Sequence, residues 1–304
     1  MSTIYTLNGK VLKNSANGKW LTKASGDPYN PLGLPPFTIR CKFSSGYTPS
    51  MGDSQTLVDA GENVWDITKN STNWYNLLYN SSVLSVLGAN STGVTNMGSL
   101  LQGNQNLTQV ELFDTSSCTY MGGFLAGSSI TSVPLFNTSY CTNMNGMFSS
   151  CMALTSVPLF NTSSCTNMDS MFSSCRSLTS IPLFDTRSVT SMQGMLQECL
   201  SLTTIPLFDT SSCVDFFLFC NTGGYDSNLT SIPLLNTSSA TNVSYMFNGN
   251  RNVNSGSLAL YQQMASQTNP PANHGGCFNN CGSNTVTGAA ELAQIPSSWG
   301  GTGA

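Results

Sequence analysis

Hydrophobic residues recur along most of this chain with a period of about 24 residues. The clearest copy, from Leu154 to Ser177, reads LTSVPLFNTSSCTNMDSMFSSCRS, and we number its positions from 1 to 24. Six copies align, with steps of 23, 24, 24, 24 and 27 residues, and begin at Leu107, Ile130, Leu154, Leu178, Leu202 and Leu229. Weaker copies begin near Val83 and near Trp65. A fixed period of this length indicates a repeat protein, in which each repeat buries its apolar face against the next one.

The first half of each copy predicts a short strand followed by a turn. Leu154, Val157 and Leu159 belong to an extended segment, which Pro158 bends or ends because proline lacks a donor for a sheet ladder. Residues 161–163, Asn-Thr-Ser, are typical of a turn in which side chains bind the nearby backbone.

The second half of each copy predicts a short helix. Met168, Met171, Phe172 and Cys175 fall at i, i+3, i+4 and i+7, which is the apolar stripe of a helix. The predicted core positions are Val157, Leu159, Cys165, Met168, Met171, Phe172 and Cys175. The predicted fold class is therefore a repeat solenoid of the α+β leucine-rich-repeat type. It is a parallel stack of coils, each with a short strand, an Asx/Thr turn and a short helix, closed by N- and C-terminal caps.

The cysteines follow the same period. Most of the eleven occupy position 12 or position 22, where Val189, Ala240 and Asn250 replace them in other copies. Interchange with valine and alanine indicates a small buried residue. Reduced core cysteines are the preferred interpretation. A ladder of disulfides stays open as an alternative, since neighbouring coils would be close enough for such bonds.

The two ends differ from the repeats. Residues 1–24 read as strand, turn and strand, with Asn8-Gly9 as the turn, and predict a small β-hairpin module that docks to a partner. A cap folded onto the repeats is the alternative. A Pro/Gly-rich linker (25–36), an N-terminal cap (37–82), the repeats (83–252) and a C-terminal helical cap (253–304) complete the predicted organisation.

Charge is scarce and unevenly distributed. Charged residues make up 8% of the chain, and four of the ten basic residues lie in residues 1–24, which contain no acid. After Lys69 only three arginines remain, so the chain lacks the basic face that a nucleic-acid partner requires. No apolar run approaches the length of a membrane span or of a signal peptide, and we expect neither a spanning helix nor secretion by such a signal.

Candidate chemistry is sparse. His274, Cys277 and Cys281 form a weak zinc candidate, because structural zinc sites usually have four ligands at closer spacing. Asp185 and Asp209 occupy position 8, where asparagine also occurs; an Asx turn explains this better than a calcium ladder or a pair of catalytic carboxylates. With one histidine in a terminal loop, a catalytic triad is not expected. The chain is predicted to have no catalytic residues, no cofactor and no metal.

One feature of the repeat is specific enough to indicate a family. The motif M-F-x-x-C-x-x-L, at Met147 to Leu154 and Met171 to Leu178, resembles the BspA-type and mycoplasma-type bacterial surface leucine-rich repeat. The resemblance covers residues 83–250. It implies a non-enzymatic adhesin or surface-exposed binding protein. Relatives without a secretion signal resemble proteins of gut bacteriophages, including crAss-like phages.

Two functional hypotheses follow from this resemblance. The preferred one is a bacteriophage virion component, such as a fibre, decoration or host-recognition protein. It would attach to other virion proteins through residues 1–24 and bind a host surface protein or glycan, with homo-oligomers allowed. The alternative is a bacterial cell-surface adhesin.

Overall fold

A computed structural model describes residues 32–303 and the backbone of residues 4–7 and 10–14. Strand β1 (Ile4–Leu7) pairs antiparallel with β2 (Lys10–Asn14), so the strand pairing expected for the N-terminal hairpin is confirmed. The Asn8-Gly9 turn, residues 25–31 of the linker and the side chains of the hairpin lie outside the described residues.

The regular sheet lies at the N-terminal side of the repeats. It consists of β3 (Thr38–Phe43), β4 (Ser54–Asp59), β5 (Val64–Thr68), β6 (Val83–Asn90) and β7 (Gln109–Val110). Its order is β4-β5-β3-β6-β7, with antiparallel neighbours except for the parallel pair β6–β7. Ile39, Cys41 and Phe43 alternate into the core, because successive side chains of a strand point to opposite faces.

Beyond this sheet the chain forms turn segments that lie side by side. One residue of each segment makes a parallel bridge to the segments before and after it. These residues are Asn73, Asn96, Tyr120, Asn143, Asn167, Ser191, Asp215, Asn242 and Asn273. They all correspond to position 14 of the repeat.

Four main-chain hydrogen bonds connect each segment to the next. Amides at positions 15, 17, 19 and 21 donate to carbonyls at positions 14, 16, 18 and 20 of the following segment. In the clearest copy these bonds are Met168–Ser191 (3.1 Å), Ser170–Gln193 (2.7 Å), Phe172–Met195 (3.0 Å) and Ser174–Gln197 (2.7 Å). This bonding satisfies amides that an isolated turn would leave unpaired.

The predicted fold class, a repeat solenoid of the α+β leucine-rich-repeat type, is wrong. None of the six aligned copies contains a helix, and only the first contains a regular strand, β7. The described residues instead combine a five-stranded mixed sheet, turn segments and two short helices, α1 (Ser257–Ala265) and α2 (Val286–Leu292).

Backbone geometry explains why no helix forms in the repeats. Ser170 and Ser174 have φ values of 52° and 61°, in the left-handed region that a right-handed helix cannot contain. Amides bond three residues back instead of four, as from Met171 to the Met168 carbonyl (3.2 Å). The spacing i, i+3, i+4, i+7 therefore marks the inward positions of a chain of turns.

In the clearest copy the predicted strand is also absent. In its place Thr155 donates one backbone bond to the Thr131 carbonyl (3.2 Å), and Phe160 donates to the Pro158 carbonyl (3.0 Å) in a three-residue turn. This turn interrupts the alternation of the chain. As a result Leu159 points outward and is 60% exposed, whereas Phe160 is buried. The assignment of Leu159 to the core is wrong.

The other predicted core positions lie inside the protein. The buried residues are Val157, Cys165, Met168, Met171, Phe172 and Cys175. Phe172 stacks on Phe148 at 5.6 Å between ring centroids and on Phe184 at 6.2 Å. The Asx turn is confirmed, since Asn161 Oδ1 accepts a bond from the Ser163 amide (3.2 Å), and its counterparts in five other copies accept the equivalent bond.

Two helices and a 3-10 helix (Ser297–Trp299) follow the repeats. Glu291 of α2 accepts bonds from the Ser257 hydroxyl (2.7 Å) and the Leu258 amide (3.1 Å) at the start of α1. A carboxylate there satisfies free amides and complements the helix dipole. The C-terminal segment predicted as a helical cap (253–304) therefore contains two helices, α1 and α2.

Candidate binding surfaces

A row of exposed leucines runs along one side of the repeats. Position 6 carries leucines that are 52–62% exposed in five successive copies. They are Leu135, Leu159, Leu183, Leu207 and Leu234, and we call them the leucine row. The proline before each of them is half-buried, so every copy adds a Pro-Leu pair to the same apolar stripe. Backbones bonded side by side, as Thr155 is to Thr131, are about 4.8 Å apart, so successive leucines are neighbours along the row.

A second surface lies near the N-terminal end of the turn segments. A groove of about 460 Å³ is lined mainly by Tyr75, Tyr79, Gln102, Tyr120, Asn145 and Ser149, and we call it the tyrosine groove. Its floor contains glycines at positions 16, 17 and 21 of two successive segments: Gly103, Gly122, Gly123 and Gly127. Because glycine has no side chain, these segments form a depression between neighbouring segments that carry larger side chains.

Glycines also position the rings of the groove. A Cβ atom at Gly98 would overlap both Tyr120 and Tyr75, and one at Gly122 would overlap the Tyr120 hydroxyl. Tyr120 therefore leans across two glycines, and its hydroxyl donates to Asn145 Oδ1 (3.4 Å). Burial raises the pKa of Tyr120, and Tyr75 adds to that shift, so the hydroxyl keeps its proton. This groove is not predicted from the sequence, although the glycines that interrupt the repeat consensus are a signal for it.

The two aspartates considered for chemistry serve as turn caps. Asp185 binds the Arg187 guanidinium (2.7 Å), which lowers the pKa of its carboxyl group. Asp209 accepts bonds from the hydroxyl and the amide of Ser211, and these bonds lower its pKa. A general acid needs a raised pKa, so this environment does not suit acid catalysis.

The zinc candidate is divided between a half-buried ring and fully buried thiols. His274 stacks on Trp299, with 4.1 Å between ring centroids, while Cys277 and Cys281 are fully buried. These residues belong to a further turn segment, which follows α1 and is bridged to its predecessor at Asn273. Within residues 32–303, no group of three His, Cys, Asp or Glu side chains is placed to hold a metal ion.

The cysteines are buried, unpaired thiols. All eleven are free, so the structure contains no disulfide ladder. Burial raises the pKa of Cys118, Cys151 and Cys165 to about 11 and that of Cys213 to about 12. Because the thiolate is the nucleophile, these groups are inert in the folded protein.

We expect stability to fall at alkaline pH because of these thiols. A pKa raised from 9.0 to about 11 means that the neutral thiol favours the folded state. The stabilisation is complete below about pH 9 and is lost as the pH rises through about 11. The melting temperature, measured across this window, should decline. The Cys165→Val variant, which carries the residue found at Val189, should decline less.

A thiol reagent provides the companion measurement. The native protein should not react with Ellman's reagent, whereas the denatured chain should expose all eleven thiols. Dithiothreitol should leave the melting temperature unchanged. Rapid reaction of the native protein, or a melting curve that shifts with reductant, would contradict the buried free thiols.

The comparison with known protein families gives one match. A family model described as "Mycoplasma protein of unknown function, DUF285" matches residues 72–179 and 142–261. Together these ranges span residues 72–261, which contain the turn segments bridged from Asn73 to Asn242, and they cover more than half of the chain. No curated protein and no solved structure matches the chain significantly. None of the helices in the described part of the chain is long and apolar enough to cross a membrane.

Proposed function

The chain belongs to this mycoplasma protein family of unknown function, and on that premise we propose that it is a non-enzymatic binding protein. Its partner is a protein that contacts the leucine row. The observation that carries the proposal is the recurrence of an exposed leucine at position 6 in five successive copies.

The leucine row has little role in folding, which is why it supports a binding function. Each leucine is more than half exposed, while the adjacent aromatic residue of the same copy, such as Phe160, fills the core. Single exposed apolar residues are ordinary, but a continuous exposed apolar patch is typical of an interaction site. A stripe of this kind fits an extended protein surface that buries several leucines at once.

The absence of a catalytic role is part of the proposal. The buried thiols lack the ionised form that nucleophilic catalysis needs, and the position 8 aspartates are used in turns. His274 bonds the Ser298 carbonyl (3.3 Å) and stacks on Trp299. The environments of these titratable groups therefore favour a binding function over a catalytic one.

We propose two alternative locations for the protein, the virion and the bacterial cell surface. The charged N-terminal hairpin supports attachment to a virion, because four basic residues without an acid suit docking to an acidic partner. Membership of a family described from mycoplasmas, which are cells, favours a bacterial surface adhesin. Quantifying the chain in purified particles and in cell envelopes decides between them.

Site-specific photo-cross-linking tests the proposed surface. A benzophenone amino acid is introduced at Leu159 or Leu183 in cells or particles that carry the full chain. We expect discrete cross-linked products from both positions, because a partner covering the row contacts both. Thr166, exposed at position 13 beyond the Asx turn, is the matched control and should give few products. Equal products from Thr166, or none from either leucine, would overturn the proposal.

A further inference from the structure

The tyrosine groove has the chemical character of a ligand site distinct from the leucine row. Tyr75 and Tyr79 are 50% and 52% exposed, whereas large aromatic side chains are on average highly buried in proteins. They occupy positions 16 and 20 of one segment and stand at one side of the glycine floor. Asn145 and Ser149 occupy the same two positions three segments further along and stand at the other side.

The depression between these sides is built into the repeat. Position 16, which carries Tyr, Asn, Asp or Gln in several other segments, is glycine at Gly98 and Gly122, and the Tyr120 ring lies over both. Three steps of about 4.8 Å separate the two sides, so the floor is about 14 Å long. Its volume of about 460 Å³ lies within the range of small-molecule sites.

Every described residue that lines the groove is uncharged. The lining consists of tyrosine, serine, glutamine, asparagine, glycine and alanine. A phosphorylated, sulfated or acidic ligand would therefore lose its hydration without gaining a counter-charge. The charge of the lining matches a neutral ligand.

The polar groups of the groove are available for hydrogen bonds. The side chain of Gln102 and the Ser149 hydroxyl have no hydrogen-bond partner among the described residues. Asn145 Oδ1 accepts a bond from the Tyr120 hydroxyl (3.4 Å), and the side-chain NH2 of Asn145 donates to no described residue. Amides and hydroxyls of this kind pair with hydroxyl groups.

From this combination we infer that the tyrosine groove binds a neutral oligosaccharide of two or three sugar units. The C–H faces of the sugar rings pack on the exposed faces of Tyr75 and Tyr79, whose π-systems are negative. The sugar hydroxyls pair with Gln102, Asn145 and Ser149. The glycine floor beside the Tyr120 ring leaves room for the ligand between the two sides of the groove.

A glycan array followed by calorimetry tests the inference on the full-length chain. The array carries neutral di- to tetrasaccharides together with sialylated and sulfated counterparts. We expect binding to neutral members only. The Tyr75→Ala/Tyr79→Ala double variant should bind the best neutral oligosaccharide at least tenfold more weakly, with an unchanged melting temperature. Tyr140→Ala, which changes a tyrosine that is 66% exposed outside the groove, is the matched control and should bind normally.

Three results would overturn the inference: no binding to any neutral glycan, equal weakening by Tyr140→Ala, or preferential binding of charged glycans. Choline should also be titrated, because clustered tyrosines can hold a quaternary ammonium. Binding of choline in place of sugar would replace the inferred ligand. None of these results affects cross-linking at the leucine row, so the two proposals fail independently.

Discussion

Replacing Phe172 with alanine is expected to lower the free energy of unfolding by about 3–5 kcal/mol, the usual cost of removing a buried phenylalanine ring. Phe172 is fully buried and lies between Phe148 and Phe184, with ring planes inclined by 9° and 8°. Its removal leaves a cavity that the hydrogen-bonded neighbouring segments cannot fill. Denaturant unfolding of the variant and the parent chain measures the loss.

Leu159→Ala provides the matched control for this prediction. Leu159 is as apolar as a core residue but is 60% exposed, so its truncation should change the free energy of unfolding by less than about 0.5 kcal/mol. A similar loss in both variants would mean that position 6 is buried. A near-neutral Phe172→Ala variant would reject the assignment of position 19 to the core.

Replacing Arg40 with methionine is expected to cost about 3 kcal/mol of folding free energy. Arg40 of β3 binds Asp66 of β5 through two bonds of 2.6 and 2.7 Å, and the two side chains are only 7% and 16% exposed. Removing the guanidinium leaves a largely buried carboxylate without its partner, which is the costly way to break such a pair. Chemical denaturation of the variant measures this cost.

Lys42→Met, on the same strand, separates this effect from the loss of a positive charge. Lys42 binds Glu62 at 2.7 Å, but both side chains are 35% exposed. Exposed pairs contribute about 0–1 kcal/mol, so this variant should remain close to the parent chain. Comparable losses at Arg40 and Lys42 would contradict the distinction drawn from burial.

The repeat could be predicted from the sequence, but its backbone could not. The period, the Asx turn at Asn161 and the pairing of the N-terminal hairpin follow from local residue chemistry. The inward positions of the turn segments have the same spacing as one face of a helix, so periodicity alone cannot separate them. The distinguishing signal is glycine at positions 17 and 21 of other copies, such as Gly127 and Gly194, because glycine adopts positive φ without steric cost.

The candidate surfaces could not be predicted from the sequence for a related reason. The orientation of Leu159 depends on the three-residue turn between Pro158 and Phe160, which reverses the expected alternation. The tyrosine groove brings Tyr75 and Asn145 together from segments far apart in the chain. The segment of Cys277 and Cys281 follows an inserted helix, which hides its period.

The proposed role of the leucine row in binding rather than in folding is tested most directly by an affinity measurement. The partner cross-linked at Leu159 is titrated with the parent chain and with the Leu159→Ser/Leu183→Ser/Leu207→Ser variant. We predict a dissociation constant at least about 100-fold higher for the variant, because three buried interface anchors contribute about 2.7 kcal/mol or more together. An unchanged dissociation constant would contradict the proposed role of the row.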